Sequence, residues 1–236
     1  MLFDLDGTLL DGAGLPAAME ATCEVLAARL PGTSSADLVA ANTAAWQRLW
    51  PEAEDDWMRG GRAGDEIVTE AWRETLTSAG GDPSLVPLAL ETWEREQRRA
   101  LRLFDDVLPM LDRLRQDGVR VGLVTNGAGS VQRMKLDAVE ATDRFDPLLI
   151  SGDIGMRKPD PAVFAAALHD AGVAPGSAWY VGDNLWHDVA PAHEAGLTTV
   201  WIDRHGVEAE ASWPRPDVVL RTLADLHGLW APQGPR

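Results

Sequence analysis

The sequence predicts an α/β fold: a doubly wound parallel sheet carrying an inserted all-helical block. Three observations predict it. From Asp105 onward, short apolar runs alternate with helical stretches, the order that stacks βα units into a parallel sheet. A further apolar run, Met1–Leu5, stands far from that series in the chain. Between the two, from Pro16 to about Leu103, no strand pattern occurs. The expected division is therefore an α/β core of residues 1–14 and 102–236, with a helical insertion over 15–101 docked above the strand ends.

The elements follow in order. Met1–Leu5 is a strand ended by Gly7, which lets the backbone turn. The insertion holds four expected helices: Ala17–Leu30, Ser35–Trp50, Asp65–Ser78 and Ser84–Leu101. Met19, Cys23, Leu26 and Leu30 recur at three- and four-residue spacing, as one buried face requires. Breaks fall at Pro31-Gly32, Gly60-Gly61 and Gly80-Gly81-Asp82-Pro83. Trp46, Trp50, Trp57, Trp72 and Trp93 lie in this block and are expected in its core. In the second region the helices are Val107–Asp117, Gly129–Val139, Asp160–Ala171 and Val189–Ala195. Asp160 is the expected N-cap of the third, with Pro161 at its first position. The strands are Val119–Thr125, Pro147–Ile150, Ala178–Gly182, Thr198–Ile202 and, at the edge, Asp217–Leu220. Ala231–Arg236 is expected to fray.

Composition bounds the function. A formal net charge of -16 argues against a nucleic-acid duplex or an anionic membrane as partner, since both need a basic patch. The single cysteine, Cys23, excludes an intrachain disulfide and a thiolate zinc site, and its apolar setting predicts a buried thiol. No apolar run is long enough to span a membrane, and no basic segment precedes an apolar stretch at the start, so a cytoplasmic protein is expected. Of 21 basic residues, only Lys135 and Lys158 are lysine. Lys135, in Met134-Lys135-Leu136-Asp137, is expected on a solvated helix face.

The residues able to do chemistry cluster at strand ends, where open α/β sheets bind ligands. Asp4 and Asp6 follow the first strand. At i and i+2 they project to one face, and two carboxylates held so close need a cation or a proton between them. Thr125-Asn126-Gly127 follows the second strand, Lys158 precedes the Asp160 helix, and Gly182-Asp183-Asn184 closes another strand with Asp188 just beyond.

Together these residues resemble the haloacid dehalogenase superfamily, in its subgroup with a helical cap inserted after the first motif. Asp4-Leu5-Asp6-Gly7-Thr8 is similar to the first motif, Thr125-Asn126-Gly127 to the second, Lys158-Pro159 to the third, and Gly182 through Asp188 to the fourth. The likeness covers nearly the whole chain. It implies a magnesium-dependent phosphatase acting on a small phosphomonoester, a sugar phosphate or nucleotide. Asp4 would attack phosphorus and Asp6 would protonate the leaving oxygen, then activate water. Thr125 and the amides around Asn126 and Gly127 would bind phosphate oxygens, and Lys158 would offset charge. Asp4, Asp183 and the carbonyl of Asp6 would hold Mg2+, with Asp188 in the outer shell. The Arg59–Gly64 loop would face the site, Arg59 and Arg62 meeting an anionic leaving group. Trp186 is expected to pack and His187 to be solvated.

Within the family, Asp6 argues against dehalogenation, because dehalogenases lack that second acid. A Schiff-base lysine in the cap is ruled out, since residues 15–101 contain no lysine. A phosphomutase remains an alternative, as does a non-catalytic phosphate-binding protein. A monomer or homodimer is expected. Only Met1 and Leu2 precede Phe3, where the family carries several apolar residues, so either a short central strand or a start upstream of Met1 is expected.

Overall fold

The computed structural model describes residues 1–229. In chain order the elements are β1 (Leu2–Phe3), β2 (Leu10–Asp11), α1 (Leu15–Ala27), α2 (Ser35–Met58), α3 (Gly64–Ser78), α4 (Val86–Ala100) and β3 (Arg102–Leu103). Then come α5 (Val107–Gln116), β4 (Gly122–Thr125), α6 (Gly129–Ala138), β5 (Leu148–Ile150), α7 (Ser151–Ile154) and α8 (Ala162–Ala171). The chain continues through β6 (Trp179–Gly182), a π-turn over Leu185–Val189, α9 (Ala190–Glu194), β7 (Thr198–Ile202) and β8 (Val218–Leu220). The expected fraying of Ala231–Arg236 lies outside the described residues.

Six parallel strands pair in the order β5-β4-β1-β6-β7-β8. Although β1 is short, it is central: Leu2 pairs with Gly122 on one side and Tyr180 on the other. Neighbouring residues serve opposite faces, as a strand period of two requires. Phe3, Leu123 and Val181 join one apolar layer with α5 and α6. Leu2, Val124 and Tyr180 join the other with Phe164 and Leu168 of α8. Both faces are covered, so the strands are continuously apolar.

The helical block enters and leaves through an antiparallel ribbon in which Leu10 pairs with Leu103 and Asp11 with Arg102. Its four helices share a core of their own around Cys23, Leu26, Leu38, Trp72 and Leu76. Helices α3 and α4 pack on α6, and α2 packs on α7.

Several boundaries differ from expectation. Helix α2 runs on through Pro51 to Met58 rather than stopping at Trp50. Proline forfeits only the bond to the carbonyl four residues back. Edge-to-face contacts of Trp50 with Trp46 (6.0 Å) and with Trp57 (5.4 Å) continue across that position. Of the five cap tryptophans only Trp72 is fully buried; the other four are half-buried. Strand β4 begins at Gly122, not Val119, because the Val119 amide closes back on Leu114 to finish α5. The N-cap of α8 is Pro161 rather than Asp160, one residue later than expected, though the Asp160 carboxylate still accepts from the Ala162 amide at 2.9 Å. Among the described residues no helix is long and apolar enough to cross a membrane.

Candidate active site

Asp4 sits one residue past β1, its amide bonded to the Val181 carbonyl at 2.9 Å. Gly7 then turns with φ 80°. A Cβ there would collide with the Asp183 carboxylate, so glycine brings the first and fourth motifs together.

The centre of the site is Lys158. Its ammonium has three donors and uses each: 2.6 Å to Asp4 Oδ1, 2.6 Å to Asp188 Oδ1 and 2.9 Å to the Tyr180 hydroxyl. The lysine side chain is 3 % exposed. Burial works against its charge, but Asp188 and Asp4 outweigh it and hold Lys158 above its ordinary range. Burial also pushes Asp4 up to about 8 against the pull of Lys158, with Asp188 and Asp183 adding repulsion. Burial pushes Asp183 up to about 6, aided by Asp188. Carboxylate oxygens of Asp4, Asp183 and Asp188 all lie within 4.8 Å of one another. Such an all-oxygen, mutually repelling set, with Asp4 and Asp188 buried and Asp183 open to solvent, fits a hard divalent cation.

Asp188 has both oxygens committed within the protein. Oδ1 faces Lys158, and Oδ2 accepts from the Asn184 amide at 3.0 Å. It lies in the π-turn, a backbone insertion that recurs at functional sites. Asp183 is placed by Thr8, whose hydroxyl donates to it at 3.3 Å, and by Trp201, whose indole donates to its carbonyl at 2.8 Å.

Asp6 stands apart from the metal-type cluster. Its carboxylate, 48 % exposed, accepts from Lys135 Nζ at 2.9 Å to each oxygen and from Gln132 Nε2 at 3.0 Å. The expectation of a solvated Lys135 is corrected: its side chain is 14 % exposed because it folds down onto Asp6. Gln132 also donates to Thr125 Oγ1 at 2.6 Å.

The second motif is partly committed. Asn126 clasps the backbone of Lys158, accepting from its amide at 2.9 Å and donating to its carbonyl at 2.8 Å. The Gly127 amide, expected on phosphate, donates instead to Ser151 Oγ at 2.9 Å. Gly127 itself has φ 141°, which favours glycine. Ser151 Oγ in turn donates to the Met58 carbonyl at 2.5 Å, linking this loop to the cap.

The Arg59–Gly64 loop does reach the core, seating Gly60 against the Gly152 carbonyl. Its arginines are turned elsewhere. Arg59 pairs with Asp55 at 3.0 Å and donates to the Gly155 carbonyl at 3.2 Å; Arg62 pairs with Glu70 at 2.8 Å. An acid-rich cap supplies each with a nearby partner. Trp186 is half exposed rather than packed, with its edge on Trp213 at 5.3 Å, and His187 is half-buried rather than solvated. A cleft of about 400 Å³ opens beside Asp183, lined by Gly7, Phe104, Trp201, Arg204 and His205 among others.

Tyr180, Gln132, Lys135 and Ser151 are site residues that sequence reasoning misses. Tyr180 carries a signal, being the chain's one tyrosine and two residues before Gly182 of the fourth motif. Gln132 and Lys135 carry another: they share a helix face directly after the second motif.

The chain is 34 % identical over 243 residues to the phosphoserine phosphatase of Thermus thermophilus, covering 96 % of each chain. It is 29 % identical to the human N-acylneuraminate-9-phosphatase, over 97 % of this chain and 92 % of that one. Among solved structures, the 2-haloacid dehalogenase of Pseudomonas syringae pv. Tomato superposes with a TM-score of 0.70 at 26 % identity, over 96 % of this chain and 95 % of that one. The sequence model of the haloacid dehalogenase-like hydrolases matches residues 1–196, and the chain belongs to that family.

Proposed function

We propose that this protein is a magnesium-dependent phosphatase that hydrolyses a small phosphomonoester, a sugar phosphate or nucleotide, through an aspartyl-phosphate. The observation that carries the reading is the division of labour between the two first-motif acids. Asp4 is buried against Lys158, while Asp6 is held separately by Lys135 and Gln132. This separation supports Asp4 as nucleophile and Asp6 as proton carrier. The dehalogenase alternative has no use for that second acid. The names of the phosphoserine and acylneuraminate phosphatases support the same class.

Lys158 holds Asp4 Oδ1, so the other oxygen attacks phosphorus. The bond from phosphorus to the ester oxygen breaks, and that oxygen takes the proton of Asp6. Asp6 then accepts a proton from water as the water attacks the acyl phosphate, freeing Asp4 and inorganic phosphate. Lys158 and the Thr125 hydroxyl offset charge on the phosphoryl oxygens. Asp4, Asp183 and the Asp6 carbonyl would hold Mg2+, which supplies further charge neutralisation; Asp188 orients Lys158. The half-exposed Asp6 favours hydrolysis over a water-excluding mutase. The cleft beside Asp183 gives the leaving group room. Acidic charge and a single buried thiol suit a cytoplasmic enzyme.

The test is a panel of sugar phosphates, nucleotides and aryl phosphates assayed for phosphate release with Mg2+. Release that is metal-dependent and blocked by vanadate is expected. Absence of release across the panel overturns the reading in favour of a binding protein.

A further inference from the structure

Two side chains at the site have no part in the mechanism above: Gln132 and Lys135, three residues apart on α6. Both point at Asp6. Lys135 Nζ lies 2.9 Å from each carboxylate oxygen, a symmetric grip. Gln132 is fully buried and donates to Asp6 Oδ2 and to Thr125 Oγ1 from the same nitrogen. Its own carbonyl oxygen is buried with no hydrogen-bond partner. Leaving an acceptor orphaned is unfavourable. Turning the amide over would bring that oxygen against the carboxylate, which is worse. The amide orientation is therefore set by Asp6.

Asp6 needs such support. Its carboxylate is half exposed, whereas Asp4 is walled in by burial. A proton carrier must stay within hydrogen-bond reach of a reacting oxygen, and an error of about 1 Å can lower rates a hundredfold. The helix that follows the phosphate loop supplies the constraint, and Gln132 ties acid and phosphate-binding hydroxyl into one unit. Each of the chain's two lysines thus holds one first-motif acid: Lys158 on Asp4, Lys135 on Asp6.

We propose that Lys135 and Gln132 are positioning residues that fix Asp6 for proton transfer to the leaving group. This rests on the phosphatase reading, with Asp6 as acid and base. A poor leaving group such as an alkoxide depends on that proton, whereas dinitrophenolate departs without it. A defect in positioning therefore has a substrate signature that general damage lacks.

The experiment measures kcat/KM of the full chain with Mg2+ on glycerol phosphate and on dinitrophenyl phosphate. Lys135→Met should lower the first by about tenfold or more and the second by less than about threefold. Lys135→Arg, which can grip both oxygens in bidentate fashion, should recover most of the loss and covers the case in which Lys135→Met folds poorly. Gln132→Met should show the same bias. In an Asp6→Asn background, Lys135→Met should cost nothing further, because its action passes through Asp6. Equal losses on both substrates, or an additive loss in the Asp6→Asn background, overturn the proposal. Asp6→Asn alone must show the leaving-group bias; without it, the role of Asp6 falls and this proposal falls with it.

Discussion

Asp4, the proposed nucleophile, is fixed rather than free. Its carboxylate is 10 % exposed and tied to an ammonium at 2.6 Å, so the proposed attack would cost little reorganisation. Asp4→Asn keeps that shape but cannot form an acyl phosphate. Turnover should vanish while the thermal melt and circular dichroism stay near wild type; comparable phosphate release by the folded variant would remove Asp4 as nucleophile. Lys158→Arg should fail as well, by about a hundredfold or more in kcat, despite the conserved charge. Three partners surround a point donor in a buried slot, and a planar guanidinium neither fits the slot nor meets them together. Near-normal kcat in the arginine variant would make Lys158 a mere counter-charge. Asp4 and Asp183 were legible because each stands just past a strand in a short motif, and Lys158 because a rare lysine precedes a proline in the loop ahead of α8. Lys135 was not: its spacing is that of any solvated helix face, and its partner lies 129 residues away. Ser151 was hidden for a related reason, since its hydroxyl joins a cap carbonyl to a core amide that no local pattern connects.

The elements were legible where both faces of a strand are apolar and blurred where a turn competes. Strand β7 matches its expected span because Thr198–Ile202 has neighbours on both sides. Strand β4 and helix α2 do not, because a helix-closing bond and a stack of tryptophans decide their ends, and neither is a local signal. Asp106, at the start of α5, shows how elements distant in sequence are clasped. It accepts from Arg204 at 3.0 and 3.1 Å, from the Thr222 hydroxyl at 2.6 Å and from the Leu223 amide at 2.8 Å. Arg204 also lies 3.7 Å over the Phe104 ring and donates to the Thr8 carbonyl at 2.8 Å, so the clasp reaches the first-motif loop. Burial opposes ionisation of Asp106, but Arg204, Thr222 and the Leu223 amide outweigh it and hold the carboxyl below its usual range. Because the folded value is the lower one, the stabilisation is complete above the unfolded carboxyl value of about 3.9 and is lost as pH falls through the folded value. Asp106→Asn should therefore cost about 2 kcal/mol near neutral pH, and the gap to wild type should close in strong acid. Urea melts at both pH values check this. A gap unchanged in acid would mean that shape, not charge, holds the clasp.

On the scale of the whole molecule, every proposed catalytic side chain comes from the α/β core, and the cap contributes coverage. The proposed magnesium site exists only in the folded arrangement, so saturating Mg2+ should raise the melting temperature, by the equivalent of about 2.7 kcal/mol at a hundredfold excess over Kd. Asp183→Asn should lose that rise, and a rise that survives the substitution would place the ion elsewhere. The docking of the cap turns on Gly60. That residue holds φ 77°, and a Cβ on it would run into the Gly152 carbonyl. Gly152 itself donates to the Gly127 carbonyl at 3.0 Å, and its neighbour Ser151 bonds both Gly127 and the Met58 carbonyl at the end of α2. Gly60→Ala must therefore lift the α2–α3 loop away from α7. The proposed catalytic residues of the core should stay in place, while the cap loop beside them shifts. The expected result is a larger rise in KM than fall in kcat on the best substrate of the panel, because binding energy removed equally from ground and transition states appears in KM. A small aryl phosphate, which needs little from the cap, should change less in kcat/KM. Steady-state kinetics on both substrates decide it. An equal loss on the two would mean that the loop braces the phosphate site itself through Ser151, and the cap would then be part of the catalytic scaffold rather than a selector of substrates.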